Sequence, residues 1–258
     1  MQPSLLLLFG LVAHSSLAHD PSALQHYRDV LTKILVQGEQ ADSSRVKREV
    51  DQTSENIEEI GSVPACTTAT AQKCLSAFVK PISSSLPSSP VAFITAFESF
   101  LSSHGVPGFI AACNQLSGLK ACLGSQFDAC LANPQNLMAN VANLTMTNAL
   151  AYTSIFYSLN FACGPGSSAL MNGFGCSKQV LATNGTQLSA CLRNLNAQVV
   201  KAPGLACLDY QIFVACFAEP FHAACGENVA YNFCQSLRRG ILKAQPQCWR
   251  LTCTYVNH

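Results

Sequence analysis

The residues of this chain best equipped for covalent chemistry are its fourteen cysteines, all at or after Cys66 in a chain of 258 residues. An even number of cysteines behind an N-terminal secretory signal is typical of a fully oxidised framework. We therefore expect about seven disulfide bonds, without being able to deduce their pairing. The cysteines concerned are Cys66, Cys74, Cys113, Cys122, Cys130, Cys163, Cys176, Cys191, Cys207, Cys216, Cys225, Cys234, Cys248 and Cys253.

Other groups that could do chemistry are few in the cysteine-rich part of the chain. Before the terminal His258 it holds two histidines, His104 and His222, and its acids are Glu98, Asp128, Asp209, Glu219 and Glu227. No zincin, nucleophile-elbow or phosphate-loop motif occurs. Close Cys-x-x-Cys pairs, the usual source of zinc ligands, are missing as well. The sequence predicts no metal, no cofactor and no enzymatic activity, although a Ser-His-Asp site assembled from distant positions stays open.

Composition excludes several other classes of protein. Only 11% of the residues are charged and the formal net charge is +1, whereas ordinary soluble domains carry about 25% charged residues. A near-neutral chain has no electrostatic footprint for nucleic acid or anionic lipid. The hydrophobic content of 49% excludes wholesale disorder.

The first quarter of the chain is predicted to be processing signals and linker. Residues 1–18 contain a short apolar run followed by small residues at the positions that signal peptidase requires, which indicates a cleaved signal peptide and a secreted, extracellular protein. Residues 19–48 end in Arg-Val-Lys-Arg, and we expect propeptide cleavage after Arg48. Residues 49–62 form an acidic leader without a basic residue, typical of a solvated tail.

The rest of the chain is predicted to be all-α. Ser89-Pro90 and Asn133-Pro134 are helix start signals, and the second opens an apolar stretch that continues to Phe161. No Asp, Glu, Lys or Arg occurs between Asp128 and Lys178. Regular Asn and Ser residues in this stretch argue against a membrane span. It is either a buried central helix or a helix that lines an apolar cavity or a partner surface.

The cysteine spacing contains an internal repeat. Residues 112–130 and 206–225 share Ala-Cys-x7-Ala-Cys-[Leu/Phe]-x3-Phe-x-Ala before a further cysteine, with one residue inserted in the second copy. We predict a disulfide-bonded helical array of two related subdomains, 63–168 and 169–258, with a single continuous array as the alternative. Nine residues along a helix separate two Cα atoms by about 13.5 Å. Since a disulfide spans no more than about 7 Å, Cys113 should not bond Cys122, nor Cys207 bond Cys216.

Two N-glycosylation sequons begin at Asn143 and Asn184. Use of either would place it on the surface of a secreted chain. We expect Asn184 to be the better acceptor because Gly185 follows it in a turn, whereas Asn143 is predicted to lie within the charge-free helix.

The cysteine order also resembles a known family. Cys113 to Cys130, then the aromatic segment from Tyr152 to Cys163, then Cys176, is similar to the cysteine-rich domain of nematode chondroitin proteoglycan 4-like secreted proteins. The resemblance implies a secreted, disulfide-bonded fold and a core protein that carries glycosaminoglycan. The only Ser-Gly, Ser117-Gly118, has no acidic neighbour, so the resemblance bears on location and fold more than on function.

These observations lead to two predicted functions. The first is a secreted, non-enzymatic extracellular matrix or protein-interaction module, whose partner is an extracellular protein or a matrix component. The alternative is an extracellular carrier of an apolar small molecule or lipid, held between the helices around Asn133–Phe161.

Overall fold

The computed structural model describes residues 65–201 and 203–253. The predicted signal peptide, the propeptide with its cleavage at Arg48 and the acidic leader lie outside the described residues. Within them the chain forms α-helices and short 3₁₀ segments and no strand, which confirms the predicted all-α class. The helices are α1 (Thr68–Val79), α2 (Pro90–Leu123), α3 (Phe127–Leu131), α4 (Pro134–Asn140), α5 (Met146–Cys163), α6 (Ser167–Asn172), α7 (Phe174–Thr183), α8 (Gly185–Lys201), α9 (Ala206–Cys225) and α10 (Glu227–Ala244). The 3₁₀ segments are Gly124–Gln126, Pro203–Leu205 and Pro246–Cys248.

Both predicted helix starts are confirmed. The Ser89 hydroxyl accepts a hydrogen bond from the backbone N–H of Ala92 at the start of α2. The Asn133 side chain accepts one from the N–H of Gln135 at the start of α4. In both helices proline occupies the first turn, where its missing N–H costs nothing.

The stretch that opens at Asn133 is not one helix. Helix α4 ends at Asn140, and α5 begins only at Met146, where the Thr145 hydroxyl accepts from the N–H of Asn148. Between them Asn143 has φ of 58°, a left-handed conformation that asparagine tolerates but that no right-handed helix contains. The prediction that Asn143 lies within the charge-free helix is therefore wrong, because this residue forms an exposed turn.

Helix α5 lies at the centre of the hydrophobic core. Tyr152 and Phe156 are fully buried and pack against Phe78 of α1 and Phe93 of α2, with ring centroids 5.6–6.2 Å apart. The Tyr152 hydroxyl donates to the carbonyl of Pro87 at 2.6 Å, so burying it leaves no unpaired polar group. The central part of the charge-free stretch, α5, is thus a buried central helix, the first of the two predicted alternatives, and the rest of the stretch forms shorter helices and turns.

All fourteen cysteines lie among the described residues and all are bonded. Their Cα atoms are 4.9–5.9 Å apart, within the normal range for disulfides. As predicted, Cys113 does not bond Cys122, and Cys207 does not bond Cys216. The pairs are Cys66–Cys130, Cys74–Cys122, Cys113–Cys163, Cys176–Cys225, Cys191–Cys216, Cys207–Cys248 and Cys234–Cys253.

The disulfide pairing follows the internal repeat. Counted from each half's first cysteine, Cys66 or Cys176, the first cysteine bonds the fifth and the second bonds the fourth. The third bonds a cysteine beyond the repeat, which is Cys163 in one half and Cys248 in the other. Among the fourteen cysteines, no bond joins residues 66–163 to residues 176–253. Helices of both halves nevertheless contribute to one hydrophobic core, and the division into subdomains at residue 168 stays a prediction.

The two halves meet closely where α10 crosses α5. Gly240 is buried in α10, and a Cβ atom there would lie 2.7 Å from the Ser154 Oγ and would also overlap the Ser154 carbonyl and the Ser158 Oγ. One turn away the Ser236 hydroxyl donates to the carbonyl of Ser158 at 2.9 Å. The absence of a side chain at residue 240 lets the two backbones approach this closely.

We predict that Gly240→Ala lowers the free energy of unfolding by about 1–3 kcal/mol, because the added methyl group must push two helices apart. Thermal unfolding followed by circular dichroism measures the change. The matched control is Gly118→Ala on the exposed face of α2, where a Cβ would meet nothing within 4 Å. That control should be neutral or stabilising, by up to about 1 kcal/mol, because alanine is the better helix former. Equal effects of the two substitutions would contradict the close approach.

Candidate functional site

A groove with a volume of about 630 Å³ lies between α2, α5 and α10. Sites for small molecules typically have volumes of about 300–1,000 Å³ and often lie between domains or between the helices of a bundle. Helices α2 and α5 come from the first half of the repeat and α10 from the second. The groove is lined by Leu116, Ser117, Lys120, Tyr157, Asn160, Phe161, Cys163, Gly164, Pro165, Arg239, Leu242 and Lys243.

Part of the groove is apolar and held in place covalently. Leu116 is buried, and Phe161 and Leu242 are half-buried, so each presents part of its side chain to the groove. The disulfide between Cys113 and Cys163 fastens α2 to the end of α5 beside these side chains. The last turns of α5 thus line a cavity, while the rest of the helix is core.

The rim of the groove carries three cations on two helices. Lys120 lies on α2, and Arg239 and Lys243 lie four residues apart on α10, which places both on one face of that helix. The Lys243 Nζ lies 3.4 Å from the Asp128 Oδ2. Among the described residues, Lys120 and Arg239 form no ion pair with any acid.

An aromatic pair lies between the two lysines. The rings of Phe127 and Tyr157 pack edge to face with centroids 6.0 Å apart. The Lys120 Nζ lies 5.7 Å from the Phe127 centroid, and the Lys243 Nζ lies 4.7 Å from the Tyr157 centroid. Both distances are within the range of cation–π attraction. These contacts hold the two ammonium groups at the edge of the groove.

The Tyr157 hydroxyl donates a hydrogen bond to the Asp128 Oδ1. Burial raises the pKa of Tyr157 far above its usual range, and the hydrogen bond and the negative charge of Asp128 raise it further. The phenol therefore stays protonated at any physiological pH and acts as a donor that fixes Asp128, not as a base or a nucleophile.

The two histidines considered for catalysis lie away from this groove. His104 is exposed on α2, where its Nδ1 lies 2.8 Å from the carbonyl of Phe100 and 3.0 Å from the Ser103 Oγ. In the described part of the chain no acid pairs with His104, so the serine and histidine lack the third member of a triad. His222 is half-buried on α9 and does not line the groove. That the protein is not an enzyme stays a prediction.

Two further features are absent from the described residues. No group of three or more His, Cys, Asp or Glu side chains among them could hold a metal ion. None of their helices is both long enough and apolar enough to cross a membrane. Ser117-Gly118 is exposed on α2 between the bonded Cys113 and Cys122, so the one Ser-Gly of the chain lies within a helix.

The two sequons differ in their surroundings. Asn143 is exposed in the turn before α5. Asn184 is half-buried between α7 and α8, where its side-chain oxygen accepts from the Thr183 hydroxyl at 2.8 Å and its amide nitrogen lies 3.4 Å from the Gln187 Oε1. The folded protein thus presents Asn143 more openly, although the sequence favoured Asn184.

One acid is buried away from the groove. Glu98 of α2 is only 4% exposed, and its Oε1 has no hydrogen-bond partner among the described residues. Burial raises the pKa of Glu98 to about 9. Glu98 is therefore neutral at physiological pH, because an unpaired buried carboxylate would be far costlier than a carboxylic acid.

Sequence reasoning missed the cations of the groove. The pair Arg239 and Lys243, at i and i+4 of an amphipathic helix, was a visible signal of a basic helix face. Nothing in the sequence showed that Lys120 would join this face, because the arrangement depends on how α10 packs beside α2 and α5.

A scan against protein-family models finds no match, and searches of curated proteins and of solved structures find no significant match. The resemblance to chondroitin proteoglycan 4-like domains accordingly stays a prediction.

For glycosylation, we predict that Asn143 carries a glycan and that Asn184 is modified less completely. In secreted material from a eukaryotic host, Asn143→Gln should abolish most of the mobility shift caused by a peptide N-glycosidase, and Asn184→Gln should leave most of it. The reverse pattern would show that accessibility in the folded state does not decide which sequon is used.

For Glu98, we predict that the free energy of unfolding falls as pH rises from about 4.5 to about 9. Between these values the folded protein keeps a proton that the unfolded chain releases, so each pH unit costs up to about 1.4 kcal/mol. Glu98→Gln cannot ionise and should remove this dependence, raising the stability at pH 8 and changing it little at pH 4. Denaturant unfolding at both pH values measures this.

The control Glu219→Gln, exposed on α9, should leave the pH dependence of stability in place. An unchanged pH profile for Glu98→Gln would contradict the assignment.

Proposed function

We propose that this protein is a secreted, non-enzymatic binding protein that carries a small molecule with an apolar part in the groove between α2, α5 and α10. The observation that carries the proposal is the groove itself, a cavity of about 630 Å³ with apolar side chains on its walls. It lies beside the last turns of α5, at the carboxyl end of the Asn133–Phe161 region around which the sequence predicts the carrier's ligand.

The disulfide framework supports this function physically. Three bonds tie together the elements of the first half, and one of them, Cys113–Cys163, lies directly beside the groove. A cavity whose walls are already fixed loses little conformational entropy when a ligand binds. Seven disulfides with no free cysteine are also typical of proteins that work in an oxidising, extracellular compartment.

A protein-interaction module is the second candidate, and one surface favours it. Trp249 is 57% exposed and Leu205 is 48% exposed. The Cys207–Cys248 bond, with Cα atoms 5.1 Å apart, joins the segments that carry these two residues. The Arg250 guanidinium lies 4.7 Å from the Trp249 ring centroid. Exposed Trp and Arg side chains are the types that dominate binding energy in protein interfaces.

We predict that the wild-type protein binds 1-aminoanthracene, a neutral apolar fluorophore, and that Ser117→Trp weakens this binding by about tenfold or more. Ser117 is exposed and lines the groove, so a tryptophan there fills ligand space without entering the core. Fluorescence titration measures the dissociation constant, in which tenfold corresponds to about 1.4 kcal/mol.

The matched control is Ala182→Trp, at an exposed position of α7 away from the groove, which should bind the fluorophore as the wild type does. Circular dichroism verifies that both variants fold. If the wild type binds no fluorophore, or if Ser117→Trp binds as well as Ala182→Trp, the groove is not the binding site and the carrier function fails.

A further inference from the structure

We infer that the ligand of the groove is an amphipathic anion, with an apolar chain and one acidic head group held by Lys120 and Arg239. The inference rests on the proposed function, because it assigns a chemical class to the molecule that the groove carries.

Three positively charged side chains from two helices line the same groove. Lys120 and Arg239 come from helices in different halves of the repeat, and Lys243 joins Arg239 on the same face of α10. Bringing cations together raises the free energy of the folded protein unless an anion compensates.

The carboxylate beside the groove, Asp128, already has two partners. Asp128 accepts from the Tyr157 hydroxyl and pairs with Lys243 at 3.4 Å. One negative charge thus faces three positive charges, and the excess lies with Lys120 and Arg239. An anionic head group between them would supply the missing negative charge through charge-assisted hydrogen bonds.

Apolar side chains line the groove beside the cations. Leu116 lies one helical turn from Lys120 on α2, and Leu242 lies between Arg239 and Lys243 in the sequence of α10. Phe161 adds an aromatic surface from α5. The cations therefore border an apolar surface, the arrangement that an amphiphile requires and that a small inorganic anion does not use.

Three ligands of equal chain length test the inference, namely decanoate, decyl phosphate and decanol. Calorimetry measures their binding, with the two anions kept below their critical micelle concentrations and decanol below its solubility limit. The wild type should bind the better of the two anions at least about tenfold more tightly than decanol. Comparing decanoate with decyl phosphate distinguishes a carboxylate from a phosphate head group. Inorganic phosphate alone should bind far more weakly than decyl phosphate.

The decisive variant is the double substitution Lys120→Gln/Arg239→Gln, which should lose the preference for the anion while binding decanol as before. The matched control, Lys73→Gln/Lys80→Gln, removes two exposed positive charges away from the groove and should keep the preference. Circular dichroism confirms that both variants fold.

The outcomes separate the two proposals. If decanol and the anions bind equally well, or if both double variants lose the preference to the same extent, the anionic head group is wrong and the carrier function stands. If inorganic phosphate binds as tightly as decyl phosphate, the groove is an anion site and not an amphiphile site. If neither decanol nor an anion binds, the carrier function itself fails.

Discussion

The structure depends on one contact, the close packing of α10 against α5 where Gly240 meets Ser154 and Ser158. All seven disulfides lie within one half of the chain or the other, so the halves are joined by the backbone and by noncovalent contacts, this packing and the Lys243–Asp128 ion pair among them. Close helix packing without large side chains is sensitive to a single added carbon, because interiors are as dense as organic crystals. The groove lies beside this contact and takes its walls from both halves, so its shape depends on the same packing.

The disulfides stabilise each half of the chain separately. Equivalent cysteines of the repeat form equivalent bonds, and each half also has its own aromatic cluster. In the first half Phe93 packs against both Phe78 and Tyr152, and in the second Phe221 stacks on Phe233 with centroids 4.0 Å apart. Each disulfide that closes a loop of this size restricts the unfolded chain, a stabilisation of a few kcal/mol in the loop-entropy model. Two reinforced halves can therefore pack against each other through α5 and α10 and present a fixed groove.

The sequence predicted the features that depend on residues close together along the chain. Ser89-Pro90 and Asn133-Pro134 are local start signals, and both begin helices. The nine-residue spacing of Cys113 and Cys122 excluded a bond between them through helix geometry alone. The break before α5 escaped prediction because it depends on a left-handed conformation at Asn143 that the apolar pattern does not reveal. The site escaped prediction for a related reason, since Lys120 and Arg239 line one groove only when the two halves pack, and no local spacing indicates that.

Each half of the chain is cross-linked by its own disulfides, and no disulfide joins the two halves. One measurement tests this directly. A recognition site for a sequence-specific protease is inserted between Gly164 and Pro165, two exposed residues between Cys163 and Cys176, and the purified oxidised protein is cut there. Electrophoresis in denaturant without reductant should then show two separate fragments, because no disulfide joins them. A single band that separates only after reduction would show a bond between the halves and contradict the account.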